Sequence, residues 1–193
     1  MTQSAGVASR GRREQILATA ATLFARRGFH GVSVVDIGAA CGVSGPALYK
    51  HFASKDQILA EMLVSISGQL LDVGRARVLE AGGPAEAVRR LVDWHVSFAL
   101  QHQALIVVQD RDFSSLPDEA RTQVRAVQRA YVDLWADQLR LLDPALSIDA
   151  AHARAHAAFG LINSTPRSSL LPAPQMALLL AEMAVRALGV AQR

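Results

Sequence analysis

The sequence predicts an all-α protein of about nine helices, with a small helix-turn-helix head on a larger helical body. Three observations carry this. Apolar residues recur at helical spacing through nearly every segment of the 193 residues. Alternating stretches are short, and no Asn-Gly or Asp-Gly turn occurs to close a hairpin. Capping residues and Gly/Pro breakers divide the chain at helix-length intervals.

Each element follows in order. In 11–28, Ile16, Leu17, Ala20, Leu23 and Phe24 form one stripe, and Gly28 is a C-terminal stop. Ser33 and Asp36 make a capping box for a short helix with Ile37, Ala40 and Cys41 inward, ended by Gly42. Ser44 caps the next helix, with Pro46 in its first turn, where a missing N–H costs nothing. Ser54 and Gln57 form a second box, opening a longer helix toward residue 80. Gly82-Gly83-Pro84 is the clearest breaker. Beyond it Val88, Leu91, His95, Phe98 and His102 share a helix face ending near Gln103. A short piece, 104–113, leads to Leu116-Pro117; Val124 to Leu142 mark a long helix stopped at Asp143-Pro144. The last two helices, 149–164 and 173–188, are separated by Pro166, Pro172 and Pro174.

Composition narrows the class. The chain is 51% hydrophobic and 19% charged, a globular mixture able to bury a core. No apolar run reaches the ~18 residues that span a bilayer, and Met1 to Ser9 lack a signal-peptide core. A single cysteine, Cys41, permits no intrachain disulfide and suits a reducing cytoplasm; its place beside Gly42 reads as a small buried residue. Residues 1–55 hold seven Lys and Arg against two Asp and Glu, whereas the rest holds thirteen against fifteen. The basic head points to a polyanion partner at one end of the chain.

Both lysines of the chain, Lys50 and Lys55, fall within "CGVSGPALYKHFASKDQ", residues 41–57. Two short helices joined by Gly42-Val43-Ser44 form a helix-turn-helix. On the second, Leu48 and Phe52 are four apart and face the core, so Pro46, Ala47 and Lys50 point the other way. Small Gly45 and Ala47 permit close approach to a groove, and Lys50 reaches base acceptors such as guanine O6 and N7. Tyr49 and His51, on the flanks, can donate to phosphates. Lys55, in the first turn of the following helix, adds charge where N–H groups already favour an anion.

The stretch "GFHGVSVVDIGAACGVSGPALYKHFASKDQIL" resembles the DNA-binding domain of TetR-family transcriptional regulators. Gly28-Phe29, Ser33, Ile37, Gly42-Val43-Ser44, Leu48-Tyr49, His51-Phe52 and Lys55 take the places of that family's pattern, and Gly38 departs from its usual alanine. The resemblance covers about residues 11–60. It implies a homodimer, usually a repressor, on a palindromic operator in double-stranded DNA. It divides the chain into a flexible tail at 1–9, a DNA-binding domain at 10–55, and a ligand-binding and dimerisation domain at 56–193. The DNA-contacting set expected is Arg12, Arg13, Ser33, Ser44, Gly45, Pro46, Ala47, Tyr49, Lys50, His51 and Lys55. The helices 149–164 and 173–188 are expected to pack against their mates, through Ala151, Ala155, Ala158 and Leu161 and the stripe Leu178, Leu179, Met183, Ala184 and Leu188.

The same resemblance implies a small hydrophobic effector among the helices of the larger domain. Polar or aromatic residues on otherwise apolar faces are the candidates: His95, Phe98, His102, Gln109, Arg111, Tyr131, Trp135, Phe159 and Asn163. "HQALIVVQDRDF" followed by "QRAYVDLWADQL" is similar to TetR-type regulators of lipid and steroid catabolism. That likeness implies an elongated apolar acyl ligand, such as an acyl-CoA, with Arg111 or another arginine near its phosphates. His152 and His156 have a metal-compatible spacing but lack an evident third ligand, so no metal and no cofactor is expected. No GxSxG, Walker or HExxH signal occurs, so an enzyme is not the reading. The remaining rival is a DNA-binding or interaction module without an effector.

Overall fold

The computed structural model describes residues 2–168 and 170–190, with side chains from Gly11 onward except at position 45. All regular structure among the described residues is helical: α1 (Thr2–Arg27), α2 (Val34–Ala40), α3 (Gly45–Tyr49), α4 (Lys55–Leu79), α5 (Pro84–Gln101) and α6 (Gln103–Asp112). A single 3-10 turn, Phe113–Ser115, precedes α7 (Asp118–Leu142), α8 (Ile148–Ile162), the four-residue α9 (Thr165–Ser168) and α10 (Ala173–Ala187). No helix among the described residues is long and apolar enough to cross a membrane.

The chain forms two compact units. The first joins the residues up to Ser65 with Ala104–Gln123; the second joins Ile66–Gln103 with the residues from Val124 onward. This redraws the sequence-based boundaries of 10–55 and 56–193. The opening turns of α4, and all of α6 after Gln103, group with the helix-turn-helix. The flexible tail expected at 1–9 is helical from Thr2, where α1 begins; position 1 lies outside the described residues.

In the first unit, helical spacing decides what is buried. Ile16, Ala20 and Phe24 of α1 line up with Ile37 of α2, Leu48 of α3, Phe52, and Ile58 and Leu59 of α4, all buried. Each of the Ile, Leu and Phe side chains among them contributes about 1.5–3 kcal/mol by leaving water. Phe24 meets Phe29 edge-on at 5.3 Å between ring centres. The α2–α3 turn depends on Gly42, whose φ of 68° lies in the left-handed region that a side chain disfavours. The Ser33 box forms as the spacing predicts: Ser33 N–H donates to Asp36 Oδ2 at 2.8 Å, and Asp36 N–H to Ser33 Oγ at 3.1 Å.

In the second unit, α10 packs on α5 and α8 through Met176, Leu180, Ala184 and Leu188. Ala151, Ala155 and Ala158 give α8 a buried face of small side chains. Beside its own buried stripe α10 keeps further large apolar residues accessible: Leu178, on its far side, is 74% accessible, and Leu179 and Met183, on its flank, 41% and 46%. Ala184 and Leu188, expected to join these in one outward stripe, are buried within their own unit. A helix whose large apolar residues extend beyond its buried stripe carries more apolar surface than its own unit covers.

Candidate functional site

The first candidate site is the segment from Ser44 to Phe52. Ser44 Oγ accepts from Ala47 N–H at 3.4 Å and fixes the start of α3. Leu48 and Phe52 are buried, which turns Pro46, Tyr49 and Lys50 outward; Ala47 and His51 are half-buried. Tyr49 is 55% accessible, a large aromatic left in water beside a cation. The helix is shorter than the spacing suggests: Lys50 is its C-cap, and His51 lies beyond it in a turn closed by His51 N–H to Leu48 O at 2.9 Å. At Gly45 only the backbone placement within α3 is described.

Two of the expected DNA-facing cations are placed otherwise. Lys55 Nζ donates to Phe29 O at 2.8 Å and Val32 O at 2.9 Å, and lies 4.3 Å from the Phe29 ring centre. Its charge ties the α1–α2 connection to α4, so its expected phosphate contact is corrected to a structural bond. Loop carbonyls need donors, and an ammonium supplies several. Arg13 likewise donates to both carboxylate oxygens of Glu61 and to His51 O, with its guanidinium 4.1 Å over Phe52. The arginine holds α1, the turn after α3 and α4 together. Arg12 remains exposed, donating to the Gln15 side chain at 2.9 Å. Ser33 and Ser44 act as caps. Replacing Lys55 with methionine strands two carbonyls, and should lower stability by about 1–3 kcal/mol in urea unfolding.

The second candidate site lies in the second unit and gathers seven of the nine expected effector residues from α5, α7 and α8 and the residues that cap them. His95 of α5 stacks on Phe159 of α8, 4.8 Å between centres and 6° between planes, and on Tyr131 of α7 at 5.7 Å and 19°. Trp135 stands edge-on to all three rings. His95 Nδ1 lies 3.3 Å from Tyr131 Oη, and Nε2 lies 3.1 Å from Asn163 Oδ1. One tautomer satisfies both contacts: Nε2–H donates to Asn163, and the Tyr131 hydroxyl donates to Nδ1. Phe98 and His102 continue the face, 4.8 Å apart. Burial lowers the pKa of His102 as well.

Burial pushes the His95 pKa down to about 4 from its ordinary 6.5, outweighing the bond to Asn163. The unfolded chain therefore binds the proton more readily than the folded one between those values. Stability contributed by neutral His95 is complete above about pH 6.5 and falls as pH drops toward 4. Between neutral pH and about pH 5 the loss should reach ~2 kcal/mol, and a His95→Gln variant should lack it. Urea unfolding of both proteins across that range checks this.

Two other expected effector residues belong to the first unit. Arg111 of α6 donates to Phe24 O and to Ala25 O (3.2 Å), and pairs with buried Asp112 at 3.1 Å. Carbonyls at a helix C-terminus attract a cation, so Arg111 caps α1, and its expected role beside a ligand's phosphates is corrected. Gln109, half-buried on α6, also lies outside the ring cluster. His152, considered for a metal, lies 2.9 Å from Asp133.

Sequence reasoning missed three supporting residues. Glu61 holds Arg13, and Thr165 Oγ1 donates to Ala99 O at 3.1 Å while fully buried. Gly74 of α4 faces Tyr131 so closely that an added Cβ would meet Cε2 of that ring at 2.8 Å. An isolated glycine inside a helical pattern was its signal.

A basic helix-turn-helix joined to a body of long helices defines a class, the two-part regulatory protein. Two family models match: "Bacterial regulatory proteins, tetR family" over residues 16–62, and "Tetracyclin repressor-like, C-terminal domain" over residues 81–167. The chain belongs to the TetR family, whose members are regulators and not enzymes. It is 30% identical over 128 residues to the HTH-type transcriptional repressor KstR2 of Rhodococcus jostii (strain RHA1). That alignment covers 65% of this chain and 62% of the relative's length. The structure is similar to a TetR-family transcriptional regulator from Bordetella parapertussis 12822, with TM-score 0.81 and 28% identity over 91% of this chain and 93% of that one. It shares its fold with AibR in complex with isovaleryl coenzyme A and operator DNA, with TM-score 0.70 and 23% identity over 89% and 97% of the two chains.

Proposed function

We propose that the protein is a transcriptional repressor that binds a palindromic operator as a homodimer and is released by a small hydrophobic effector. The observation that carries the DNA-binding part is the outward set Pro46, Tyr49 and Lys50, with half-buried Ala47 and His51 beside it, held by buried Leu48 and Phe52. In this reading Lys50 contacts base edges while Tyr49, His51 and Arg12 contact phosphates, within the bacterial cytoplasm. The similarity to KstR2 supports the repressor assignment. Lys50→Ala should cost about 1–3 kcal/mol of operator binding and relax sequence preference at one position per half-site. Fluorescence anisotropy with operator variants reads both; unchanged affinity and preference would place the base-reading residue elsewhere.

The effector part rests on the His95 cluster in the second unit. For release, the effector must bind the DNA-free conformation better; a tenfold loss of operator affinity needs ~1.4 kcal/mol of that difference. Helix α4 contributes its first turns to the first unit and Gly74, against Tyr131, to the second. A ligand that moves Tyr131 therefore acts on α4 directly and can shift paired recognition helices from one-turn spacing, ~34 Å. The leading effector is an acyl compound, and the fold is one that in AibR takes both a short acyl-CoA and DNA. Titration of an operator complex with acyl-CoAs, free fatty acids and unrelated drugs tests this; no release by any of them would leave an effector-independent DNA-binding protein.

A further inference from the structure

We infer that Val35, on α2, is a second specificity-determining residue of the helix-turn-helix and contacts the 5-methyl group of a thymine in each operator half-site. This rests on reading the first unit as a DNA-binding head. Among the described residues of that unit, two large apolar or aromatic side chains stand exposed, Val35 at 70% and Tyr49 at 55%. Both lie on the helix-turn-helix. A lone exposed valine is ordinary on a protein surface. Here the unit buries or half-buries its other large apolar side chains and leaves these two on one motif.

Helical period fixes which way Val35 points. Ile37, Gly38 and Cys41 are buried, so at ~100° per residue Val35 and Ala39 fall on the outward side, and both are exposed. Asp36, the charged residue of α2, is drawn back to the cap: its Oδ2 accepts from Ser33 N–H at 2.8 Å and from the Ser33 hydroxyl at 2.6 Å. Val35, Ala39 and Ala40 therefore line the outer face of α2 with methyl groups. The start of α2 also lies at the end of the motif where the recognition segment closes. Lys55 Nζ, three residues beyond Phe52, donates to Val32 O at 2.9 Å, and α2 packs on α3. The Gly42 turn is at the other end. On the base edges of a major groove the apolar feature is the thymine 5-methyl. Lys50 supplies a donor for guanine, and Val35 supplies a surface against which that methyl leaves water. An exposed valine in a first helical turn does nothing for the helix itself, since β-branching costs side-chain freedom and an acid would suit the dipole better.

The test uses the full-length protein and the palindrome it enriches from a random pool. Thymidines are replaced by deoxyuridine one position at a time, symmetrically in the two half-sites. Deoxyuridine pairs with adenine as thymidine does and lacks only the methyl. At one symmetric position the replacement should lower wild-type affinity about 4-fold per half-site, the worth of a buried methyl, and so about 15-fold in all. Val35→Ala should weaken the parent palindrome by a similar factor and be indifferent to deoxyuridine at that position. Its urea unfolding and the salt dependence of its binding should match the wild type, because neither a charge nor a core contact is removed. Lys50→Ala should stay sensitive to the same methyl. The inference is overturned if no thymine methyl matters to the wild type, a result that depends on no variant folding. It is equally overturned if Val35→Ala binds as tightly as the parent or keeps the sensitivity, or if Lys50→Ala loses it. An enriched palindrome whose preference Lys50→Ala relaxes, with no methyl effect, sinks this inference and leaves the DNA-binding reading standing. No enriched sequence at all sinks both.

Discussion

Paired substitution of Leu179 and Met183 by glutamate should reduce operator affinity at least ~100-fold while leaving helix content intact. The two residues are four apart on α10 and both about half accessible, on the flank of the stripe formed by buried Met176, Leu180 and Ala184. On α8, Ala153, Ala157 and Gly160 are exposed, and a Cβ added to Gly160 would meet nothing within 4 Å. Large apolar side chains on one helix and an open small-residue surface on another are complementary across a two-fold axis. In the proposed dimer, like charges placed there repel their mates and desolvate without partners. Operator binding then falls to that of one head on one half-site, and the loss of linked binding accounts for a factor of 10² or more. Sedimentation should show the wild type as a dimer and the variant as a 20.7 kDa monomer. A wild type that is already monomeric, or a variant that binds as well as the parent, contradicts the assembly.

Trp135→Ala should destabilise the protein by about 3–5 kcal/mol, the largest single-residue effect expected in the second unit. Trp135 is fully buried and touches the rings of His95, Tyr131 and Phe159, which come from three different helices. Its removal leaves a cavity that the surrounding helices fill only in part, and also withdraws the edge-on contacts. Chemical denaturation checks the size. Loss below about 1 kcal/mol would mean that the ring cluster does not hold α5, α7 and α8 together.

Local features of the fold were legible in the sequence, and long-range polar contacts were not. The Ser33 and Ser54 caps, the Gly42 turn and the inward pair Leu48 and Phe52 follow from spacing alone, because neighbours along a helix decide them. The ring cluster was partly legible: His95, Tyr131, Trp135, Phe159 and Asn163 stand out as polar or aromatic residues on apolar faces. Lys55, Arg13 and Arg111 show the limit. All three are cations, and sequence offers no way to tell a cation facing a phosphate from one facing a backbone carbonyl. Arg111 finds its carbonyls on residues 86 and 87 positions away, and Arg13 its carboxylate 48 away. The start of α1 was missed for the opposite reason, since its first turns carry no apolar stripe to mark them. Of the four cations expected to face DNA, Arg13 and Lys55 are bonded within the protein, which leaves Arg12 and Lys50 exposed.

The most direct measurement is selection of double-stranded DNA from a random pool by the wild-type protein and by Lys50→Ala, with affinities of the enriched sites followed against salt. The wild type should enrich a palindrome whose half-sites lie about one helical turn or a simple multiple apart, with affinity falling as salt rises. Lys50→Ala should bind that palindrome more weakly and accept more bases at one symmetric position. Failure of the wild type to enrich any sequence, or enrichment of the same sites with equal affinity by Lys50→Ala, would contradict the assignment of this segment to DNA recognition.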